Sequence, residues 1–299
     1  MNLPFKNSSR GRVAFFLVVV FFLSVLSTAY VEAAFRPYAL RRRPSTTVVL
    51  TSGTSWTVPA GVTKLKSVEC WGAGGGTASW FGAGYGGGGG GAFAKKLNLT
   101  VTPGANITYS IGTGGASPAN TAGGDGGDTW FVNSTTVLAK GGKGSVKDDT
   151  NYLGGAGGAS GTSIGDVVYA GGNGGNTKID LSGAGGGSSA TPTAAGTNGA
   201  NNTATTAGAG GSAPSAGAGG TAGVKSTSPT VGGDGVANAK GGGGGGGGGG
   251  STAGSGPGAV GGRGGAPGGG AGSQGGNWNG TAAVSKSGGN GQIIIIYTR

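Results

Sequence analysis

The sequence predicts a mainly β protein: a scaffold of β-strands enclosing a bundle of polyglycine II helices, preceded by an N-terminal apolar signal helix. Three observations lead to this class. Of 299 residues 79 are Gly, ten of them in succession at 241–250. Glycine interrupts an α-helix at roughly 1 kcal/mol per residue relative to Ala, and beyond Ala34 no stretch keeps apolar residues at helical spacing without Gly cutting it. Short β-branched and aromatic stretches, separated by Gly, Pro and Asn turns, recur through the first half of the chain. The last observation is the ending Gln292-Ile293-Ile294-Ile295-Ile296-Tyr297, in which four successive Ile have the pattern of a strand buried on both faces. Left exposed, that segment would template aggregation, so it is expected to pair with the N-terminal strands and pin both ends of the Gly-rich region together.

The first element is a targeting segment. Lys6, Arg10 and Arg12 precede an apolar run at 13–26, followed by Ser27, Thr28, Ala29 and then Val31-Glu32-Ala33. This layout makes residues 1–33 a signal peptide cut after Ala33 or Ala34. The other reading is an uncleaved signal anchor, since the apolar stretch extended through Tyr30 approaches the roughly 17–25 residues that span a bilayer. The first reading makes the protein secreted or surface-displayed; under the second, the membrane is met only through this N-terminal segment. Residues 34–45 form a basic linker carrying Arg36 and Arg41-Arg42-Arg43, a placement that resists translocation. Residues 46–299 form the glycine-rich β/polyglycine II domain.

Within that domain strands are expected at 47–50, 55–58 and 64–71, the last with one break in its period of two that reads as a bulge, and with one dry face. Further strands follow at 92–101 and 106–111, where Ile107, Tyr109 and Ile111 alternate with polar partners. Residues 129–132 and 136–139 read as a hairpin around Asn133-Ser134, and 166–170 as one more short strand. From 171 to 291 the chain is almost all Gly, Ala, Ser, Thr and Asn. Ordering Gly is entropically costly, but extended helices of three residues per turn pack side by side where no Cβ intervenes, with Cα–H to carbonyl contacts supplementing amide hydrogen bonds. Tripeptide register occurs at 154–159, 170–176 and 261–266, Ser226-Thr227-Ser228-Pro229 reads as a turn, and 241–250 reads as an interior helix about 30 Å long.

The stretch Trp56-Thr57-Val58-Pro59-Ala60-Gly61-Val62, followed by Val68-Glu69-Cys70-Trp71-Gly72-Ala73-Gly74-Gly75-Gly76, resembles the opening of the glycine-rich domain of bacteriophage tail-fibre adhesins and of assorted surface proteins. Leu99-Thr100-Val101-Thr102-Pro103-Gly104, Gly123-Gly124-Asp125-Gly126-Gly127-Asp128 and the closing Gly291-Gln292-Ile293-Ile294-Ile295 agree with it. The resemblance implies a β scaffold closing around stacked polyglycine II helices, with loops at one end contacting a cell-surface receptor. The leader at 1–33 departs from it, because phage tail proteins assemble in the host cytoplasm; a secreted or surface-displayed relative fits better.

Chemistry is sparse. There is no His, one Cys (Cys70) and nine acidic residues, so neither a Ser-His-Asp nor a Cys-His pair nor a zinc cluster can be assembled, and an intrachain disulfide is impossible. No catalytic residue, cofactor or metal is expected. Residues 123–131 match the calcium nonapeptide once, with Asp128 as ligand; one copy cannot complete a site shared between successive turns, so a turn feeding the Trp130 strand is expected. Asp148 and Asp149 read as a solvated loop. The net charge is +11, but beyond Pro44 no basic cluster exceeds Lys95-Lys96, and no nucleic-acid partner is expected. Asn98, Asn106, Asn133, Asn201 and Asn279 each open an Asn-x-Ser/Thr sequon.

Aromatic residues outside the alternating strands are the binding candidates: Trp80, Phe81 and Tyr85 in the first Gly-rich loop, Tyr152, and Trp278. Such rings supply contact area at little entropic cost, and sugars are often held against them; the other reading is that they cap the bundle ends. The expected function is therefore a non-catalytic adhesion module whose partner is a cell-surface receptor or glycan. The alternative is a structural surface or extracellular matrix protein, with an ice-binding protein as a minor alternative tested by thermal hysteresis.

Overall fold

The computed structural model describes residues 44–79, 84–146, 152–177, 182–252, 257–276 and 285–299. The leader at 1–33, the basic linker up to Arg43, and Trp80, Phe81, Asp148, Asp149 and Trp278 lie outside the described residues.

The strands are β1 (Ser45–Leu50), β2 (Ser55–Thr57), β3 (Lys64–Trp71), β4 (Phe93–Thr100), β5 (Asn106–Ser110), β6 (Thr129–Phe131), β7 (Val137–Ala139), β8 (Val167–Tyr169) and β9 (Gln292–Thr298). Every stretch expected to be a strand contains one: β3 has the expected bounds, β1 begins two residues earlier and β9 ends one residue later than expected, and the others are trimmed by a residue or two. Asp166, expected to open β8, lies outside it: its carboxylate accepts the Leu97 N–H and the Lys96 ammonium, both at 2.7 Å. Among the described residues the only helical element is a single 3-10 turn, Ser160–Thr162.

The strands form two antiparallel sheets, one in the order β1-β9-β3-β4-β8 and one in the order β2-β5-β6-β7. The terminal strand does pair with the N-terminal ones. It lies between β1 and β3, with Ile295 opposite Val48 on one side and Val68 on the other. The ladder between β3 and β9 slips by one residue between Leu65 and Ser67. That bulge is the break in the sequence period, and it lets Leu65 and Val68, three residues apart, enter the same core.

This core lies between the sheets and takes Leu65, Val68 and Cys70 from β3, Tyr109 and Phe131 from the second sheet, and Ile293, Ile295 and Tyr297 from β9. The opposite face of the five-stranded sheet buries Trp71, Phe93 and Ile294 against Ala190 of the Gly-rich body. The expectation of a single dry face on β3 is therefore corrected: from Ser67 onward every residue is buried, because β3 is an inner strand covered on both sides.

The Gly-rich body holds no long helix or strand among its described residues, yet its runs are buried and hydrogen-bonded. All ten residues of 241–250 are buried. Gly243, Gly246 and Gly249 donate N–H to Val236, Gly233 and Thr230; Gly244 and Gly247 donate to Gly211 and Gly208; Gly242, Gly245 and Gly248 donate to Pro267, Gly270 and Ser273, all at 2.8–3.1 Å. The run's carbonyls accept with the same period of three. Gly241, Gly244 and Gly247 accept from Gly217, Gly220 and Gly223; Gly242, Gly245 and Gly248 from Ser189, Gly186 and Gly183; Gly243, Gly246 and Gly249 from Gly265, Gly262 and Ala259. Six separate segments thus surround one run. A Cβ at Gly246 would overlap the carbonyl of Thr221, so these backbones approach more closely than any side chain permits.

Candidate binding face

Of the five aromatic candidates, the structure brings Tyr85 and Tyr152 together. Their rings meet edge-on with centroids 5.1 Å apart and planes at 90°. Tyr85 is 1% exposed and offers no ring face to solvent, whereas Tyr152 is half-buried. The Thr177 N–H donates to the Tyr152 carbonyl at 3.0 Å, and the Thr177 hydroxyl donates to the Gly84 carbonyl at 3.2 Å. Tyr152 is therefore fixed at the meeting point of three segments.

From this corner an open face extends over three neighbouring runs. The first exposes Leu153, Ala156 and Ala159, the second Asn173 and Asn176, and the third Asn198 and Asn201. The period of three explains why: within 171–176, two of every three N–H groups reach buried neighbours, and the third points outward. Gly174 donates to Gly155 and Gly175 to Gly185. The outward N–H groups of Asn173 and Asn176 are accepted by the side-chain oxygens of Asn198 and Asn201 at 2.8 and 2.7 Å. Asn176 and Asn173 in turn accept the N–H groups of Gly154 and Gly157, both at 2.8 Å. An open depression of about 390 Å³ lies over these rows. The aromatic criterion missed these asparagines. Their signal was the Gly-Gly-Asn repeat itself, in which a polar residue every third position is the one that cannot point inward.

Aspartate does the same work on another edge. Asp125 and Asp128 accept the N–H groups of Gly144 and Gly141, each at 2.9 Å, and their second oxygens pair with Lys143 and Lys140. Asp128, the calcium-ligand candidate, is committed to these two partners. Partial burial opposes ionisation of Asp125, but the Lys143 ammonium and the Gly144 N–H outweigh it and hold its carboxyl below the usual range. Among the described residues no three His, Cys, Asp or Glu side chains gather around a common point.

A second cleft, of about 530 Å³, is lined by Glu69, Thr191, Pro192, Ser215, Lys240 and Ile296 among others. Its carboxylate is paired across the ladder: Glu69 meets Lys95 at 2.8 Å. Cys70 is fully buried beside it, and that burial, reinforced by the Glu69 charge, pushes its thiol far above the ordinary range. It is held as an inert thiol within the core.

The family model described as a glycine-rich domain matches residues 47–298. No curated protein matches the chain.

Proposed function

The chain belongs to the glycine-rich domain family, and on that premise we propose that it is a non-catalytic adhesion module, secreted or displayed at a cell surface, that binds a receptor or glycan. Its Gly-rich body is read as a bundle of polyglycine II helices closed by the β scaffold. One observation carries this reading: the run at 241–250 exchanges hydrogen bonds with six surrounding segments at a period of three. Threefold extended helices pack in that manner where Gly leaves the backbone bare. A body built this way holds each outward side chain at a fixed spacing, which is what a binding surface needs if it is to avoid ordering costs on contact. The face beginning at Tyr152 is such a surface, and the chain's lack of His and its buried Cys70 favour binding over catalysis.

The test is saturable binding of fluorescently labelled full-chain protein to a panel of intact cells, with and without prior protease or periodate treatment of their surfaces. Binding that saturates on some cells and is abolished by one treatment supports adhesion. Absence of saturable binding throughout the panel removes it.

A structural matrix role is the second reading, and a specific observation favours it. Strand β1 ends its sheet, so its outer edge is unpaired within the sheet, and Ser45-Thr46-Thr47-Val48-Val49-Leu50 is uncharged, with Val49 52% exposed. Such an edge is a template for pairing with another chain. Filaments seen by electron microscopy at concentrations where adhesion is absent would select this reading.

A further inference from the structure

The face bounded by Leu153 and Asn201 differs from the aromatic tips usually sought in an adhesin, and its atoms are already assigned. Asn173, Asn176, Asn198 and Asn201 each commit their side-chain oxygen to a backbone N–H. A carboxamide so pinned cannot flip, because its only acceptor is in use, and its two N–H donors are left on the other side. Within each row the amides repeat every third residue, roughly 9 Å for extended chain. Beside the rows runs an apolar stripe of Leu153 and Ala156, and among the described residues no charged side chain lines the depression.

Resting on the adhesive reading above, we propose that this face binds neutral, extended polysaccharide, lying along the asparagine rows with its hydroxyl and ring oxygens accepting from the pinned amides. The chemistry selects the class. Fixed donors without a compensating charge suit uncharged oxygen acceptors, and an apolar stripe suits the C–H faces of sugar rings. A rigid repeating row suits a repeating ligand, since each added unit meets a preformed site without further ordering of the protein. An anionic ligand would find no Lys or Arg among the described residues of the depression.

The same molecule suggests the discriminating substitution. Asp125 and Asp128 occupy equivalent edge positions and accept the neighbouring N–H groups as asparagine does. Asn173→Asp with Asn176→Asp therefore keeps the edge bonds, while replacing outward donors with carboxylate oxygens. A second variant, Ala156→Arg, covers the depression from the exposed stripe without touching any of those bonds.

The experiment is calorimetric titration of the full chain with linear neutral β-linked oligosaccharides graded from disaccharide to hexasaccharide. Affinity should rise with length, and both variants should weaken it at least about tenfold while melting as the parent does, a loss in line with removal of one or two ligand hydrogen bonds. Parent protein that binds none of the series, that binds only acidic oligosaccharides, or that is matched in affinity by both variants overturns the proposal. Cell binding by the same proteins separates the two levels. Saturable cell binding without oligosaccharide binding leaves the adhesive reading standing on another surface and removes this one.

Discussion

The indole Nε1 of Trp71 donates to the carbonyl of Ala190 at 3.1 Å. Trp71 is the last residue of β3, Ala190 belongs to the Gly-rich body, and both are fully buried. The Trp71 ring also meets Phe93 of β4 edge-on at 4.9 Å. The far face of the five-stranded sheet is thus the seat of the glycine body, and the two parts share one buried contact surface.

Trp71→Phe should therefore cost about 1–3 kcal/mol, from one buried hydrogen bond and the lost indole volume. Ala190 keeps a partner in the Ser189 hydroxyl at 3.2 Å, which limits the penalty. Denaturation followed by near-UV and by far-UV dichroism should stay coincident. Separation into two transitions would show that sheet and body unfold independently.

Gly246→Val places a side chain on the carbonyls of Thr221 and Gly220, and should destabilise by at least the roughly 1–3 kcal/mol typical of overpacking. Gly161 provides the contrast. It sits in the Ser160–Thr162 turn with nothing within 4 Å of its would-be Cβ, so Gly161→Ala should be neutral or stabilise by up to about 1 kcal/mol. Equal midpoints in urea for the two variants would contradict the packed interior.

Ile295 is fully buried between the sheets, whereas Ile296 is partly exposed on the opposite face. Ile295→Ala should cost about 2–5 kcal/mol and Ile296→Ala clearly less. Thermal melts that rank them the other way would reverse the assignment of faces along β9.

Acid should weaken the fold through its edge carboxylates. Asp166 is held below the ordinary carboxylate range by the Lys96 ammonium and the Leu97 N–H. Asp234 is partly buried, which opposes ionisation, but Lys286 and the Arg263 N–H prevail and lower it too; Asp125 behaves likewise. A carboxyl lowered on folding contributes stability that is complete above its unfolded value, about 3.9, and is lost as pH falls through the folded one. All three pairs are largely exposed, so each contribution is small and screened by salt. Lys143 is raised by Asp125, so its share persists at neutral pH and disappears only in strong alkali. The triple variant Asp125→Asn, Asp166→Asn, Asp234→Asn should show a flatter fall in melting temperature between pH 5 and pH 2 than the parent.

Extracellular protein should begin at Ala34 or Phe35. Terminal sequencing that finds Met1 on exported material would replace the cleaved signal with an anchor.

The strands could be read from sequence because alternation is local: Ile107 and Tyr109 announce a half-buried strand without reference to any partner. Pairing could not. Nothing near 292–298 says that β9 inserts between β1 and β3, since that choice is made by Val48, Val68 and Leu65 more than two hundred residues away. The candidate face was half readable. Tyr152 was singled out by its ring, but Tyr85 lies inside, buried along with the glycines around it at 84–91. The asparagine rows were visible only as register, and their meaning depends on which run lies alongside.

Ser45 is paired with Thr298, so the folded unit's two described ends leave from one end of a single ladder. Tension applied between them pulls across the strands, along the β1–β9 bonds, and breaks these pairs one after another, as a zipper opens, instead of loading all six at once. A tether at residue 45 pulling against a ligand held elsewhere would likewise peel the outermost strand first. Under such a load the β1–β9 ladder yields early while the glycine body stays intact. Force spectroscopy should show a low first event releasing β1, and an engineered disulfide joining positions 47 and 296 should suppress it.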